Sequence, residues 1–144
     1  MMNTKSIDDY LRKRCGSIFK GVFSRDTLPK RVHGPALFVC NTDPEDHPGH
    51  HWISIYVSEH REGEFMDSFG RAPGSPFKEF MEKHCETWTY NHKQLQNIYS
   101  HFCGHYCVFY CLYRSKNLDM RRIVEMFTND TVNNDNLVHG FLCY

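Results

Sequence analysis

The sequence has no run of apolar residues near the roughly 18 needed to span a bilayer as a helix, which excludes an integral helical membrane protein. Its first residues, Met1 to Asp9, contain no apolar core or small-residue cleavage site, so a secretory signal is not expected there. Formal net charge is zero, which removes bulk non-specific binding to nucleic acid as an inference. No internal repeat, low-complexity tract or linker interrupts the 144 residues, and the expectation is one domain over 1–144. Paired C-x₂-C knuckles are missing as well, although the chain has seven Cys and ten His. An odd thiol count without a secretion signal points away from a disulfide framework and towards an intracellular, reducing compartment.

Charge is uneven. Residues 1–31 carry eight Lys/Arg against three acids, and the rest of the chain carries the compensating negative excess. Such a segment reads as a solvated basic face.

The hydrophobic pattern alternates between helical and strand periods. Ser6, with Asp9 three residues on, predicts a helix start; Ile7, Tyr10, Leu11 and Cys15 share one face, and Gly16 can end it. The apolar run Ala36–Cys40 predicts a buried strand. After a loop over 41–50, Trp52–Val57 predicts a second strand, with Ile53, Ile55 and Val57 on one face and Trp52, Ser54 and Tyr56 on the other. Phe65–Ser68 returns as the next strand after a polar turn at Glu59–Glu64. Ser75 is placed to cap a helix with Pro76 first in it, and Phe77, Phe80, Met81, His84, Cys85 and Trp88 follow at helical spacing as a core stripe. Thr87–Tyr90 suits a short strand. Cys103–Arg114 is apolar almost all round and predicts a buried central helix; Asp119–Phe127 predicts a shorter amphipathic one. The Asn-rich stretch Asn129–Asn136 reads as loop. Strands and helices mix without βαβ alternation, so the fold class is α+β: a small mixed central sheet packed by helices.

A nucleophilic Cys needs its thiolate, which a helix N-terminus and a neighbouring imidazolium both favour. Cys103 stands at the start of the central helix, and Gly104 lets backbone come close. His51, at the mouth of the strand from Trp52, can supply the imidazole. Asp67 ends the next strand of the same hairpin and can orient that ring. Acyl transfer also needs oxyanion donors: the Cys103 backbone N–H is one, and the side-chain amide of Gln96, seven residues upstream, can be another. Each piece alone is weak; the ordered set carries the signal.

That order and spacing resemble the adenovirus-type cysteine proteases (adenain-like) and their clan, shared with the Ulp/SENP-type SUMO proteases. The matching residues are His51-Trp52-Ile53-Ser54-Ile55-Tyr56-Val57, Met66-Asp67-Ser68-Phe69-Gly70, Gln96 and Cys103-Gly104-His105-Tyr106-Cys107. Gly21-Val22-Phe23-Ser24-Arg25-Asp26 is similar to the N-terminal segment of the adenoviral branch, and Phe38-Val39-Cys40-Asn41-Thr42 to one of its strand ends. The likeness covers roughly residues 7 to 115. It implies a papain-like architecture in permuted order, with Cys103 as nucleophile, His51 as base, Asp67 as its partner, Gln96 and the Cys103 amide as oxyanion hole, and Trp52 as a wall of the substrate site. His50 is adjacent to His51 but does not hold the position before Trp. The implied reaction is peptide hydrolysis through a thioester, after small residues such as Gly, in viral or virus-like precursor proteins. A protein substrate, a monomer, and a host nucleus or virion go with that reading. In the adenoviral branch a viral peptide and DNA activate the enzyme. This chain is shorter after the central helix and carries no net charge, so neither cofactor is carried over.

Other readings use the same residues. An isopeptidase acting on ubiquitin-like modifiers would need the same four. A structural zinc module would draw on His101, Cys103, His105 and Cys107, but alternate residues at a helix start point apart. A binding module with a dead site would not need the complete set. His33, His47, His60, His84, His92 and His139 read as surface or satisfied core, and Cys15, Cys40, Cys85 and Cys143 as packing.

Overall fold

A computed structural model describes residues 2–43 and 51–142. The expected His50, His47 and Cys143 placements lie outside the described residues. Five strands form one sheet in sequence order: β1 (Phe19–Ser24), β2 (Ala36–Asn41), β3 (Trp52–Val57), β4 (Glu62–Met66) and β5 (Thr87–Tyr90). The two outer pairs, β1–β2 and β4–β5, are parallel, and β2–β3 and β3–β4 are antiparallel. The helices are α1 (Thr4–Cys15), α2 (Phe77–His84), α3 (Cys103–Arg114), α4 (Met120–Val124) and α5 (Thr131–Leu142). The α+β class with a mixed, helix-packed sheet is as expected.

The central strands are covered on both faces, and their sequences show it. On β2, Leu37 and Val39 face one hydrophobic cluster while Ala36, Phe38 and Cys40 face another. On β3 the split is the expected one: Trp52 and Tyr56 pack with α1 and α3, while Ile53, Ile55 and Val57 pack with α2. A strand buried on both sides reads as a near-continuous apolar run, which is why Ala36–Cys40 was legible. The core stripe of α2 holds too: Phe77, Phe80, Met81 and Cys85 are buried, and Trp88 packs against them.

Helix α3 is buried along nearly its whole length, between β3, α1 and the C-terminal helices. Its far end is tied to the sheet by Glu64. That carboxylate accepts from the Tyr110 hydroxyl at 2.5 Å and from the Met120 backbone N–H at 3.1 Å, and it faces Arg114 at 3.2 Å. The C-terminal end of the helix that carries Cys103 is therefore fixed to the sheet.

Several expectations change. α1 begins two residues earlier than Ser6: Asn3 is its cap, and Ser6 closes a reciprocal capping box with it, while Gly16 does end the helix at φ 69°. Pro76 is itself the cap of α2, and the Ser75 hydroxyl donates instead to Glu79 at 2.8 Å. β4 starts at Glu62 and stops at Met66, because a tight turn at Ser58–Arg61 closes the hairpin sooner; Asp67 and Ser68 follow the strand rather than ending it. The helix expected over Asp119–Phe127 is regular only at Met120–Val124, with Asp119 as its cap. β1 has no clear two-residue alternation and was not anticipated; it exists by pairing with β2.

The largest correction is α5, where Asn129–Asn136 was expected to be loop. Asp130 caps it, accepting from the Asn133 N–H at 3.1 Å. The Asn134 amide donates to the Leu95 and Thr128 carbonyls, and Asp135 accepts from the Tyr106 hydroxyl at 2.7 Å. Asn is a poor helix former because its side chain competes for backbone; here Asn134 and Asp135 are buried and their side chains are taken up by partners outside the helix, while Asn133 and Asn136 stay exposed.

Candidate active site

The β3–β4 hairpin brings the two ends of the expected pair together. Register matches Ser54 with Met66, so the residues just before β3 and just after β4 share one sheet edge. His51 is anchored by its carbonyl, which accepts from Thr42 N–H at 2.9 Å. Asp67 is anchored by Asn91: its N–H donates to Asn91 Oδ1 at 3.0 Å, and its carbonyl accepts from Asn91 Nδ2 at 2.7 Å. That amide continues the β4–β5 pairing by one more step.

Between the two anchors, His51 Nε2 lies 2.8 Å from Asp67 Oδ1. A carboxylate can only accept, so Nε2 carries the proton and Nδ1 is the ring nitrogen left for the neighbouring Cys103 thiol, which helps to raise the His51 pKa. Asp67 Oδ1 accepts in addition from the Phe69 N–H at 2.8 Å, and Arg71 reaches Oδ2 at 3.4 Å from the surface. The Phe69 ring stacks on the His51 imidazole, centroids 4.9 Å apart at 24°, which fixes its tilt. Burial would lower the His51 pKa; the hydrogen bonds to Asp67 and then to Cys103 outweigh it and lift the imidazole to about 9. The ring is thus held in its charged form at neutral pH.

Cys103 is the first residue of α3 and is 7% exposed. The preceding residue, Phe102, gives no side-chain cap, so the first N–H groups of α3 are free of a local side-chain partner. A Cβ at Gly104 would sit 3.4 Å from Ile7 Cδ1 of α1 and from Met2 Cβ, near ordinary packing distance, so space alone does not require the glycine expected there.

Gln96 is 1% exposed and held on three sides. Its N–H donates to the Ser68 carbonyl at 3.0 Å, its Oε1 accepts from the Ser68 hydroxyl at 2.6 Å, and its Nε2 donates to the carbonyl and hydroxyl of Ser100, both at 3.1 Å. A cavity of about 490 Å³ is lined by His51, Trp52, Phe69, Gln96, Ser100 and Cys103, with Met2 to Thr4 on another wall. All five residues singled out from the sequence, His51, Trp52, Asp67, Gln96 and Cys103, therefore converge: four line the cavity, and Asp67 backs His51 from behind.

The alternative cluster does not converge. Among the described residues no three His, Cys, Asp or Glu are placed to hold a metal ion. Cys107 points into the core while His101 is exposed, as the helical turn requires. The remaining thiols sit where packing puts them. Cys40, Cys107 and Cys111 are fully enclosed and burial pushes their pKa values well up; burial lifts Cys85 to about 11 and raises that of half-buried Cys15.

Sequence reading assigned no role to Ser68, Phe69, Asn91 or Ser100. Asn91 carries no local signal, because its partner lies 24 residues away. For Ser68 and Phe69 the only signal was their place inside the Asp67–Gly70 motif. Gly70 in that motif is required by shape: it has φ 75°, and a Cβ there would fall 2.6 Å from the Lys93 carbonyl carbon.

No family model matches the chain, and no curated protein sequence matches it. Solved structures do. The chain is similar to the ASFV pS273R protease, with a TM-score of 0.63 and 21% identity over 94% of this chain and 64% of that one. The selenomethionine form of the same protease aligns at a TM-score of 0.52 with 24% identity, over 72% of this chain and 43% of that one. ChlaDub1 from Chlamydia trachomatis aligns at 0.52 with 13% identity, over 74% and 56%. The chain thus spans less than two thirds of the length of each. At these identities the likeness establishes the fold alone, one shared with the ASFV pS273R protease and ChlaDub1.

Proposed function

We propose that this chain is a thiol peptidase in which Cys103 is the nucleophile, His51 the general acid–base and Asp67 its orienting partner. One observation carries the reading: the His51 imidazole, bonded to Asp67 through Nε2, shares one cavity with Cys103, the first residue of a buried helix.

The chemistry follows from those positions. The Cys103 thiolate attacks the scissile carbonyl carbon, and the carbonyl oxygen becomes an oxyanion. The Cys103 backbone N–H and the Gln96 amide, both at the cavity, are the proposed donors to that oxygen. His51, protonated at neutral pH, gives its Nδ1 proton to the leaving amine as the C–N bond breaks. A thioester remains. Water then attacks it, giving a proton to His51, and the C–S bond breaks to release the acid and restore the thiolate. Asp67 keeps the proton on Nε2 through both halves. Trp52 walls the cavity and, with Phe69, limits water near the ring.

The proposed substrate is a protein or polyprotein cut after a small residue, Gly above all, in a viral or virus-like setting. Fold likeness to the ASFV pS273R protease supports a protein substrate; the small-residue preference and the viral setting rest on the resemblance of the sequence motifs. Activation by a peptide or nucleic acid forms no part of the proposal.

The test uses two fluorogenic substrates, acetyl-Leu-Gly-Gly-aminomethylcoumarin and a full-length ubiquitin-like modifier carrying the same leaving group. Release from the peptide, abolished by Cys103→Ala, is the expected result. Release from the folded modifier alone would replace endopeptidase by isopeptidase. No release from either, with a folded protein, contradicts the assignment.

A further inference from the structure

We propose that Ser68 is a positioning residue for the oxyanion hole: its hydroxyl holds the Gln96 side chain so that the amide NH₂, not the carbonyl oxygen, faces the reacting carbonyl. The inference rests on the thiol-peptidase reading above and goes beyond it by adding a residue that never touches substrate.

The two ends of a glutamine amide are nearly the same size but opposite in use. With Nε2 towards the cavity, Gln96 donates to a developing oxyanion; with Oε1 there, it repels one. The surroundings choose between these. Nε2 lies 3.1 Å from the Ser100 carbonyl, which can only accept, so the nitrogen must be on that side. Oε1 is then on the side of Ser68, whose hydroxyl is 2.6 Å away and is its one hydrogen-bond donor among the described residues. Both residues are almost wholly enclosed, Ser68 and Gln96 each 1% exposed, so water does not take over if the hydroxyl is lost.

Backbone strengthens the same clamp. The Ser68 carbonyl accepts from both the Leu95 and the Gln96 N–H, at 2.8 and 3.0 Å. One residue thus fixes the Gln96 main chain and side chain together. Its neighbour Asp67 fixes His51 at 2.8 Å. The dipeptide Asp67-Ser68 therefore sets both halves of the machinery, the acid–base half through Asp67 and the oxyanion half through Ser68.

A double-mutant cycle with a second, chemically different readout tests this. Ser68→Ala, Gln96→Ala and the double variant are compared for kcat and KM on acetyl-Leu-Gly-Gly-aminomethylcoumarin, and for the rate at which iodoacetamide alkylates Cys103, read by mass spectrometry. Alkylation displaces iodide at a saturated carbon and forms no oxyanion, so it reports only the thiol and His51. The expected result is a kcat about 10-fold lower for Ser68→Ala and about 10²-fold lower for Gln96→Ala. KM and the alkylation rate stay near wild type, and the double variant equals Gln96→Ala alone. Should Ser68→Ala not fold, the nearly isosteric Ser68→Cys, with its weak S–H donor, is read the same way, with a smaller kcat loss and unchanged Cys103 alkylation. Additive losses, a wild-type kcat for Ser68→Ala, or a parallel fall in alkylation each overturn the role of Ser68. A wild-type protein that alkylates at Cys103 but never cleaves overturns the peptidase reading itself, and the Ser68 role with it.

Discussion

Helix α3 carries three cysteines four residues apart, and its two parts treat them differently. Cys103, at the N-terminal end, meets an imidazole, a cavity and uncapped backbone N–H groups. Cys107 and Cys111, one and two turns along, are 0% exposed and meet mostly hydrocarbon. Ser54 places its hydroxyl 4.0 Å from the Cys111 sulfur. Burial drives both of those thiols towards the neutral form. On the proposed reading, the same side chain on the same helix face is a reactive group in one place and small core filler in the other. Position at the helix end and an imidazole partner make the difference, not residue type.

The sharpest way to break this comparison is to remove each sulfur in turn. Cys103→Ala should lower peptide turnover by at least roughly 10⁴-fold with an unchanged unfolding midpoint. If turnover persists, the nucleophile lies elsewhere. Next in size is the partner that sets the tautomer. Asp67→Asn should cost about 10²–10⁴-fold in kcat, because Nε2 can then lose its fixed proton. It should also return the His51 pKa, followed by NMR titration, from about 9 towards its ordinary 6.5.

The pH dependence follows with a definite sign. His51 is raised from 6.5 to about 9 in the folded protein, so the native state holds a proton there that the unfolded chain has lost. The stability it contributes is fully present below about pH 6.5 and is lost as pH rises through about 9. The gap in unfolding midpoint between wild type and Asp67→Asn should therefore close across that window. Turnover should also fall about 10-fold per unit above pH 9, as the proton needed by the leaving amine disappears. A midpoint gap that widens with pH, or an upper limb near 7, contradicts the bonding drawn around His51. The smallest effect belongs to the other end of α3. Cys107→Ala should change turnover less than about 2-fold while costing about 1–2 kcal/mol of stability through a small cavity, measured by urea unfolding. A folded but inactive Cys107 variant would move the assignment.

The sequence was most legible where burial is two-sided or chemistry is ordered. β3, β5 and α3 have the expected bounds, since Ile53, Ile55 and Val57 alternate cleanly and α3 is apolar on every face. His51, Asp67, Gln96 and Cys103, expected from the sequence as an ordered set, are brought to one region of the fold, three of them on one cavity and Asp67 bonded to His51; their catalytic roles are the proposal. What stayed hidden depends on partners far away in sequence. Asn134 and Asp135 look like loop until Leu95 and Tyr106 take up their hydrogen-bonding capacity. Asn91 is unremarkable until Asp67 lies beside it, and the Ser68–Gln96 bond spans 28 residues. Propensity reads neighbours along the chain, and these contacts are set by neighbours across the fold.

The most direct test of the central claim needs no substrate. The alkylation rate of each thiol is measured against pH by mass spectrometry, in the wild type and in His51→Ala. The account predicts that Cys103 reacts fast well below pH 8, that His51→Ala slows it, and that Cys107 and Cys111 remain slow in both proteins. A Cys103 as inert as its two helix neighbours, or one indifferent to the loss of His51, would contradict it.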